Sequence, residues 1–190
     1  MASGLTTRPA TTADAPALVA LVNSAYRGDS SRAGWTTEAD LLDGQRIDVE
    51  TLTGTIASPG SVILLHVQDH VPVACVHLER TGESCYVQML TVRPTAQGSG
   101  LGRQLLDAAE RWAIEHWSSR AMHMTVIRQR IELIAWYERH GYRRTGERKP
   151  FPYGDERFGV PRRHDLEFEV LCKPLSVRPA ADGADALLKP

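Results

Sequence analysis

The chain has 190 residues, 42% hydrophobic and 24% charged, with a formal net charge of −1. That length supports one domain with a sizeable core, and the near-neutral balance provides no overall basic field for nucleic acid or an anionic membrane. Cys75, Cys85 and Cys172 show no CxxC spacing, which argues against a disulfide framework or a zinc site and fits a reducing compartment.

The first residues lack the apolar run of a signal peptide, and no run of 18 apolar residues occurs. Both observations predict a cytoplasmic protein. Leu5–Arg8 reads as a short opening strand. Thr11-Thr12 then precede a helix start with Pro16 in the first turn, and Leu18, Leu21, Val22 and Ala25 recur at helical spacing. After a polar loop over Gly28–Gly34, Thr37 to Asp40 has capping-box spacing and predicts a short helix ending at Gly44. Asp48 caps a further expected helix through Val49, Leu52 and Ile56, and Ser58-Pro59-Gly60 breaks it.

The period then changes to two. Val62–Val67, Val71–Leu78 and Cys85–Val92 read as three antiparallel strands, turning at Asp69-His70 and Thr81-Gly82. From Leu101 the pattern is helical again. Leu101, Leu105, Ala108, Ala109, Trp112 and Ala113 share one face, and Arg103, Asp107, Glu110 and Arg111 share the other. Ala121–Ile127 is an expected strand. Ile131–His140 is an expected helix that Gly141 ends in the left-handed conformation. A strand starts over Tyr142–Gly146, Lys149–His164 is a long loop, and Leu166–Leu171 is a last strand. Leu175–Pro190, rich in Ala and Pro, reads as a loosely held tail.

One segment carries most of the functional information. The strand ending Leu90-Thr91-Val92 runs through Arg93-Pro94 into Gln97-Gly98-Ser99-Gly100-Leu101-Gly102-Arg103, where a helix opens. A helix N-terminus has unpaired N–H groups and favours negative charge, and glycines let a phosphate approach them. This is no P-loop, because GxxxxGK[ST] is absent, and the glycine spacing fits a Rossmann turn poorly. Alone, it also fits a plain strand-to-helix connection.

The turn matches Q/R-x-x-G-x-G/A, and Leu133-Ile134-Ala135-Trp136-Tyr137-Glu138-Arg139-His140-Gly141-Tyr142 follows downstream. Together these two motifs closely resemble the GNAT superfamily of N-acetyltransferases. The resemblance implies an α/β (α+β) fold, a mixed and mostly antiparallel sheet of six to seven strands flanked by helices. It covers residues 5–172 in element order and leaves 173–190 as a C-terminal tail. It implies acetyl-CoA as cosubstrate, with its pyrophosphate on the backbone N–H groups of Gly98, Gly100, Leu101, Gly102 and Arg103. Gln97 belongs to the same motif, and Ser99 adds a hydroxyl. Leu90, Thr91 and Val92 would pair with the pantetheine arm, which enters a gap opened by a β-bulge beside Ala121–Ile127. An N–H near Leu90 would face the thioester oxygen.

Tyr137 matches the family's tyrosine, the hydrogen-bond donor for the departing thiolate. The base is poorly determined. Glu79 and His77 share a strand face, Glu83 lies nearer a turn, and Gln88 occupies a strand site without being able to act as a base. A water relay is the alternative. Arg130 stands where many relatives have asparagine; it either reaches a phosphate or pairs with Glu132 or Glu138. Arg93 is a further phosphate candidate.

The acceptor side is expected from residues 27–46 and 149–164. Trp35, Phe151, Tyr153 and Phe158 are candidate walls. Asp155 and Glu156 are candidate partners for a cationic amine, and Arg32, Arg162 and Arg163 for a carboxylate. The seven histidines show no metal-ligand spacing, so no metal is expected. The leading expectation is an acetyl-CoA-dependent N-acetyltransferase acting on a small-molecule primary amine by direct attack in a ternary complex. A peptide N-terminus or lysine acceptor and a non-catalytic acetyl-CoA sensor are the alternatives. No nucleic acid or membrane partner is expected. A homodimer is compatible with the four tryptophans, which either bury an interface or fill the core.

Overall fold

The computed structural model describes residues 4–176. Its strands are β1 (Thr6–Pro9), β2 (Leu42–Asp43), β3 (Ser61–Gln68), β4 (Val71–Thr81), β5 (Ser84–Val92), β6 (Ala121–Ile127), β7 (Arg143–Pro150), β8 (Val160–Pro161) and β9 (Glu167–Pro174). Its helices are α1 (Ala15–Tyr26), α2 (Gly28–Ser31), α3 (Val49–Ala57), α4 (Leu101–Trp117) and α5 (Ile131–Arg139). Seven strands form one mixed sheet in the order β1-β3-β4-β5-β6-β9-β7. Every pairing in it is antiparallel except β5 with β6. Of the tail expected at 173–190, Lys173 and Pro174 belong to β9 and the Leu175 N–H donates to the Arg120 carbonyl, while 177–190 lie outside the described residues.

The period of two along β3 and β4 decides which residues meet which helices. Ile63, Leu65, Val67 and Cys75 pack with Leu18, Val22 and Ala25 of α1 and Leu52 of α3. Leu64, Ala74, Val76 and Leu78 face the other way, onto Leu105, Leu106, Ala109 and Ala113 of α4 and Ile134 of α5. The hairpin between β3 and β4 turns at Asp69 and His70, both with positive φ. Such a turn matches the strand twist. Asp48 caps α3 by accepting a hydrogen bond from the Thr51 N–H at 2.7 Å.

The helix expected from Thr37 to Gly44 does not form. Only one turn exists, where the Glu38 carbonyl accepts from the Leu41 and Leu42 N–H groups. Thr37 makes a capping contact, but Asp40 does not complete the box. The Thr37 hydroxyl accepts from the Ala39 N–H and bonds Ser31, and Asp40 holds Arg32 at 2.8 Å. The chain instead extends as β2, which pairs with β8: Leu42 faces Pro161 and Asp43 faces Val160. The segment Lys149–His164 is therefore only partly loop, and this ribbon ties it to the region after α1.

Candidate functional site

The site begins where two strands part. Strands β5 and β6 pair only at Ser84 with Ala121, Cys85 with Met122 and Tyr86 with His123. Beyond Tyr86 a bulge turns β5 away. The register with β4 passes from Gln88 opposite His77 to Thr91 opposite Cys75, so Met89 and Leu90 share one position. Met89 accommodates the extra residue with φ 53°. The slip reverses the strand's faces. Cys85 and Val87 join the α4 side of the core, Met89 joins the α1 side, and Val92 returns to the α4 side. The Tyr26 hydroxyl donates to the Leu90 carbonyl at 2.6 Å and ties α1 to the bulge.

At the end of β5 the glycine turn opens α4. Gly98 and Gly100 have φ of 82° and 88°, a region that costs an L side chain about 1–2 kcal/mol. Gly100 caps α4, and its carbonyl accepts from the Gln104 N–H at 3.1 Å. The first-turn N–H groups of Leu101, Gly102 and Arg103 thus have no intrahelical acceptor, and no side chain caps them. A Cβ on Gly102 would lie 3.5 Å from Val92 and 3.6 Å from Trp136, so the first turn already packs against the cleft wall. These groups fit a bound diphosphate.

Gln97 has a different role from its neighbours. Its side-chain oxygen accepts from the Trp35 N–H at 2.8 Å, and its amide donates to Thr36 Oγ1 and the Val92 carbonyl at 2.8 and 3.1 Å. It clamps the loop after α2 onto the turn. Ser99 donates its hydroxyl to the Ala96 carbonyl at 2.6 Å. Arg103 lines the cleft and lies 3.7 Å from Asp107, whereas Arg93 points away and donates to the Pro72 carbonyl.

Two cavities meet in the gap between β5 and β6. The larger, about 660 Å³, runs from Gly98, Gly100, Gly102 and Arg103 past Trp35 and Trp136. The smaller, about 150 Å³, is walled by Tyr86, Met124, Phe151, Phe158 and Phe168. Tyr26, Leu90, Arg130, Leu133 and Tyr137 line both. Tyr137 is buried, with its ring edge-on to Trp136 and Tyr142 at 5.0 and 5.7 Å. Burial pushes its pKa well above the ordinary tyrosine value, so the hydroxyl keeps its proton.

The junction contains a buried ion cluster that sequence reasoning missed. Glu38 is paired on one oxygen with Arg27 and on the other with Arg130, the latter at 2.9 Å. Burial alone would raise the Glu38 carboxyl, but Arg130 and Arg27 outweigh it and hold it below its usual value. Arg130 also donates to the Thr36 carbonyl at 2.5 Å and lies over the Tyr26 ring. It thus pairs with Glu38, rather than Glu132 or Glu138. No local pattern announces this contact, because Arg130 and Glu38 are 92 residues apart in sequence.

The remaining candidates are scattered. Trp35 sits on the larger cavity, 6.4 Å from Trp136, and not on the acceptor side. Phe151 and Phe158 line the smaller cavity. Tyr153 lies elsewhere, donating to the Arg163 carbonyl and accepting from the Leu166 N–H. Glu156 lines an outer groove beside the small cavity, and Asp155 is held by Arg157 at 2.5 Å. Arg32, Arg162 and Arg163 are paired with Asp40, Asp43 and Asp165. Glu79 lines neither cavity and accepts from Gln88 at 3.1 Å. Glu83 lies beside Arg120. His77 bonds Ser61 at 2.8 Å, and burial pushes its pKa down to about 4. Among the described residues, no group of three His, Cys, Asp or Glu side chains stands ready to hold a metal, and no helix is long and apolar enough to cross a membrane.

The acetyltransferase (GNAT) domain family matches residues 35–151. Among solved structures, the ribosomal-protein-S18-alanine N-acetyltransferase from Escherichia coli is 16% identical with a TM-score of 0.68, covering 96% of this chain and 100% of that one. A Salmonella typhimurium structure that carries its cofactor acetyl-CoA is 21% identical with a TM-score of 0.68, over 96% and 100% of the two chains. The ribosomal-protein-alanine N-acetyltransferase from Brucella melitensis is 22% identical with a TM-score of 0.69, over 90% and 100%. Likeness at these identities speaks for the fold. No curated protein sequence matches the chain significantly.

Proposed function

The chain belongs to the GNAT acetyltransferases, enzymes that transfer an acetyl group from acetyl-CoA, and we propose that its acceptor is the primary amine of a small molecule. The observation that carries this is the pair of unequal cavities joined at Tyr137. A cleft of about 660 Å³ fits the long cosubstrate, and one of about 150 Å³ walled by aromatic rings fits a short acceptor.

Bound acetyl-CoA supplies the thioester carbonyl that the neutral amine attacks. The N–H groups of Leu101, Gly102 and Arg103 hold the diphosphate at the positive end of α4. The edge of β5 beyond Tyr86, left without a neighbouring strand, offers backbone groups to the amide-bearing arm. The N–H of Leu90 serves the carbonyl oxygen as charge develops. Tyr137 donates a hydrogen bond to the departing thiolate. A thiol near pKa 8.5 and an ordinary tyrosine near 10 already make full proton transfer uphill by about 2 kcal/mol. Burial of Tyr137 raises that barrier further, so donation rather than transfer is its role.

The only carboxylate lining the small cavity, Glu38, is engaged by two arginines and is not free to act as base. We assign removal of the amine's proton to solvent in the acceptor cleft. The test is acetylation of small amines beside peptides with N-terminal alanine or internal lysine. The reading expects small amines to react at least about 100-fold more efficiently. Preferential acetylation of the peptides would replace it with the protein-acceptor reading.

A further inference from the structure

The small cavity has an unequal charge count. Its lining includes the guanidinium groups of Arg27, Arg46 and Arg130 and the single carboxylate of Glu38. Three positive charges against one negative leave a surplus of two. Arg27 and Arg130 share Glu38 and are both nearly inaccessible. Arg46 is different. The other arginines around the acceptor region, Arg32, Arg157, Arg162 and Arg163, each hold an aspartate. Among the described residues, Arg46 has no ion-pair partner, and its guanidinium lies 6.0 Å from the centre of the Tyr26 ring.

Its base is nevertheless rigid. Asn23 accepts from the Arg46 and Ile47 N–H groups at 2.6 and 3.3 Å and donates to the Ile47 carbonyl at 2.9 Å. The half-buried side chain lines both the small cavity and the outer groove. Asp48 and Glu156 are the acids that line that groove, alongside Arg46 and Arg157. Asp48 already accepts two bonds from Thr51, at 2.7 and 2.9 Å. Arg46 also acts at a distance on Glu38, but a half-buried guanidinium on a fixed backbone with no ion pair of its own is a receptor for a planar anion.

Resting on the acetyl-transfer reading above, we propose that the acceptor is an amino acid, a small primary amine bearing a carboxylate that Arg46 holds. A simple ammonium ion entering this cavity meets a surplus of positive charge. An amine that carries its own carboxylate neutralises part of that surplus through Arg46. The same field favours the uncharged amine over the ammonium. That form is the one able to attack, and it suits a cavity whose one carboxylate is already paired.

The test is a matched panel of α-amino acids, their methyl esters and their decarboxylated amines, with thiol release from acetyl-CoA as the readout. Titration of the same compounds into the protein–CoA complex by calorimetry reads binding without turnover. The proposal expects at least one acid to exceed its ester and its decarboxylated amine by about 100-fold in kcat/KM. It also expects Arg46→Gln to raise the KM and the calorimetric Kd of that acid by about 10- to 100-fold. Arg46→Lys, which keeps the charge but not the fork, should recover part of that loss. Acetyl-CoA Kd in both variants should stay within about twofold, because the diphosphate cradle is remote from Arg46. Better turnover of esters or decarboxylated amines overturns the proposal while leaving acetyl transfer to small amines in place. No turnover and no binding of any panel member overturns both.

Discussion

Tyr137 is held by aromatic neighbours on two sides, and its buried hydroxyl keeps its proton throughout the ordinary pH range. Replacing it with phenylalanine removes one donor and little volume. We expect Tyr137→Phe to lower kcat more than about tenfold while the acetyl-CoA Kd, by calorimetry, moves less than about twofold. Unchanged kcat would take Tyr137 out of the mechanism. Tyr137 was readable from sequence because its motif is local, with Gly141-Tyr142 four residues on. Glu38 and Arg46 were not, since what defines them is the partner each has or lacks across the fold. His77 gives a pH prediction. An unfolded histidine binds its proton near 6.5 and the folded His77 only near 4. Stability present above pH 6.5 is therefore lost as pH falls toward 4, by at most about 3 kcal/mol. Denaturant melts of His77→Gln should show a smaller acid loss than the parent; an identical acid limb would contradict this.

The proposed site rests on a bulged strand and a helix start, and each is set by backbone rather than by side-chain chemistry. Glycine turn and α4 were legible because their signal is contiguous: three alternating glycines followed by an apolar stripe. The slip in β5 also leaves a trace, since the apolar alternation runs Cys85, Val87, Met89 and then shifts phase to Leu90, Val92. Its consequence, the parting from β6, needs the neighbouring strand and was expected only from family resemblance. The capping spacing at Thr37 to Asp40 misled because Asp40 turns to Arg32 instead of back to the Thr37 N–H, and the chain leaves the single turn to pair as β2. At this scale we expect Gly100→Ala, forced to φ near 88°, to cost about 1 kcal/mol of stability and weaken acetyl-CoA binding at least about tenfold by calorimetry. Retained affinity would mean that the turn is not the diphosphate cradle.

Across the whole molecule, the Arg27–Glu38–Arg130 cluster joins segments that the chain keeps far apart. It connects the end of α1, the loop before β2 and the start of α5, and Arg27 extends it to the Phe158 carbonyl beside β8. Both cavities take their shape from these segments. Glu38→Gln leaves two buried guanidinium groups short of a counter-charge, so a loss of about 3–5 kcal/mol is expected, read as a lower Tm. A Tm within a degree or two of the parent would show that the cluster does not hold the cleft together. Tyr137 lines both the larger cleft and the small cationic cavity, and acetyl transfer between the two is what we propose. The most direct measurement is thiol release from saturating acetyl-CoA with and without small amines, amino acids included. Release should depend on the amine and on its concentration. Tight acetyl-CoA binding with no amine-stimulated release would contradict it.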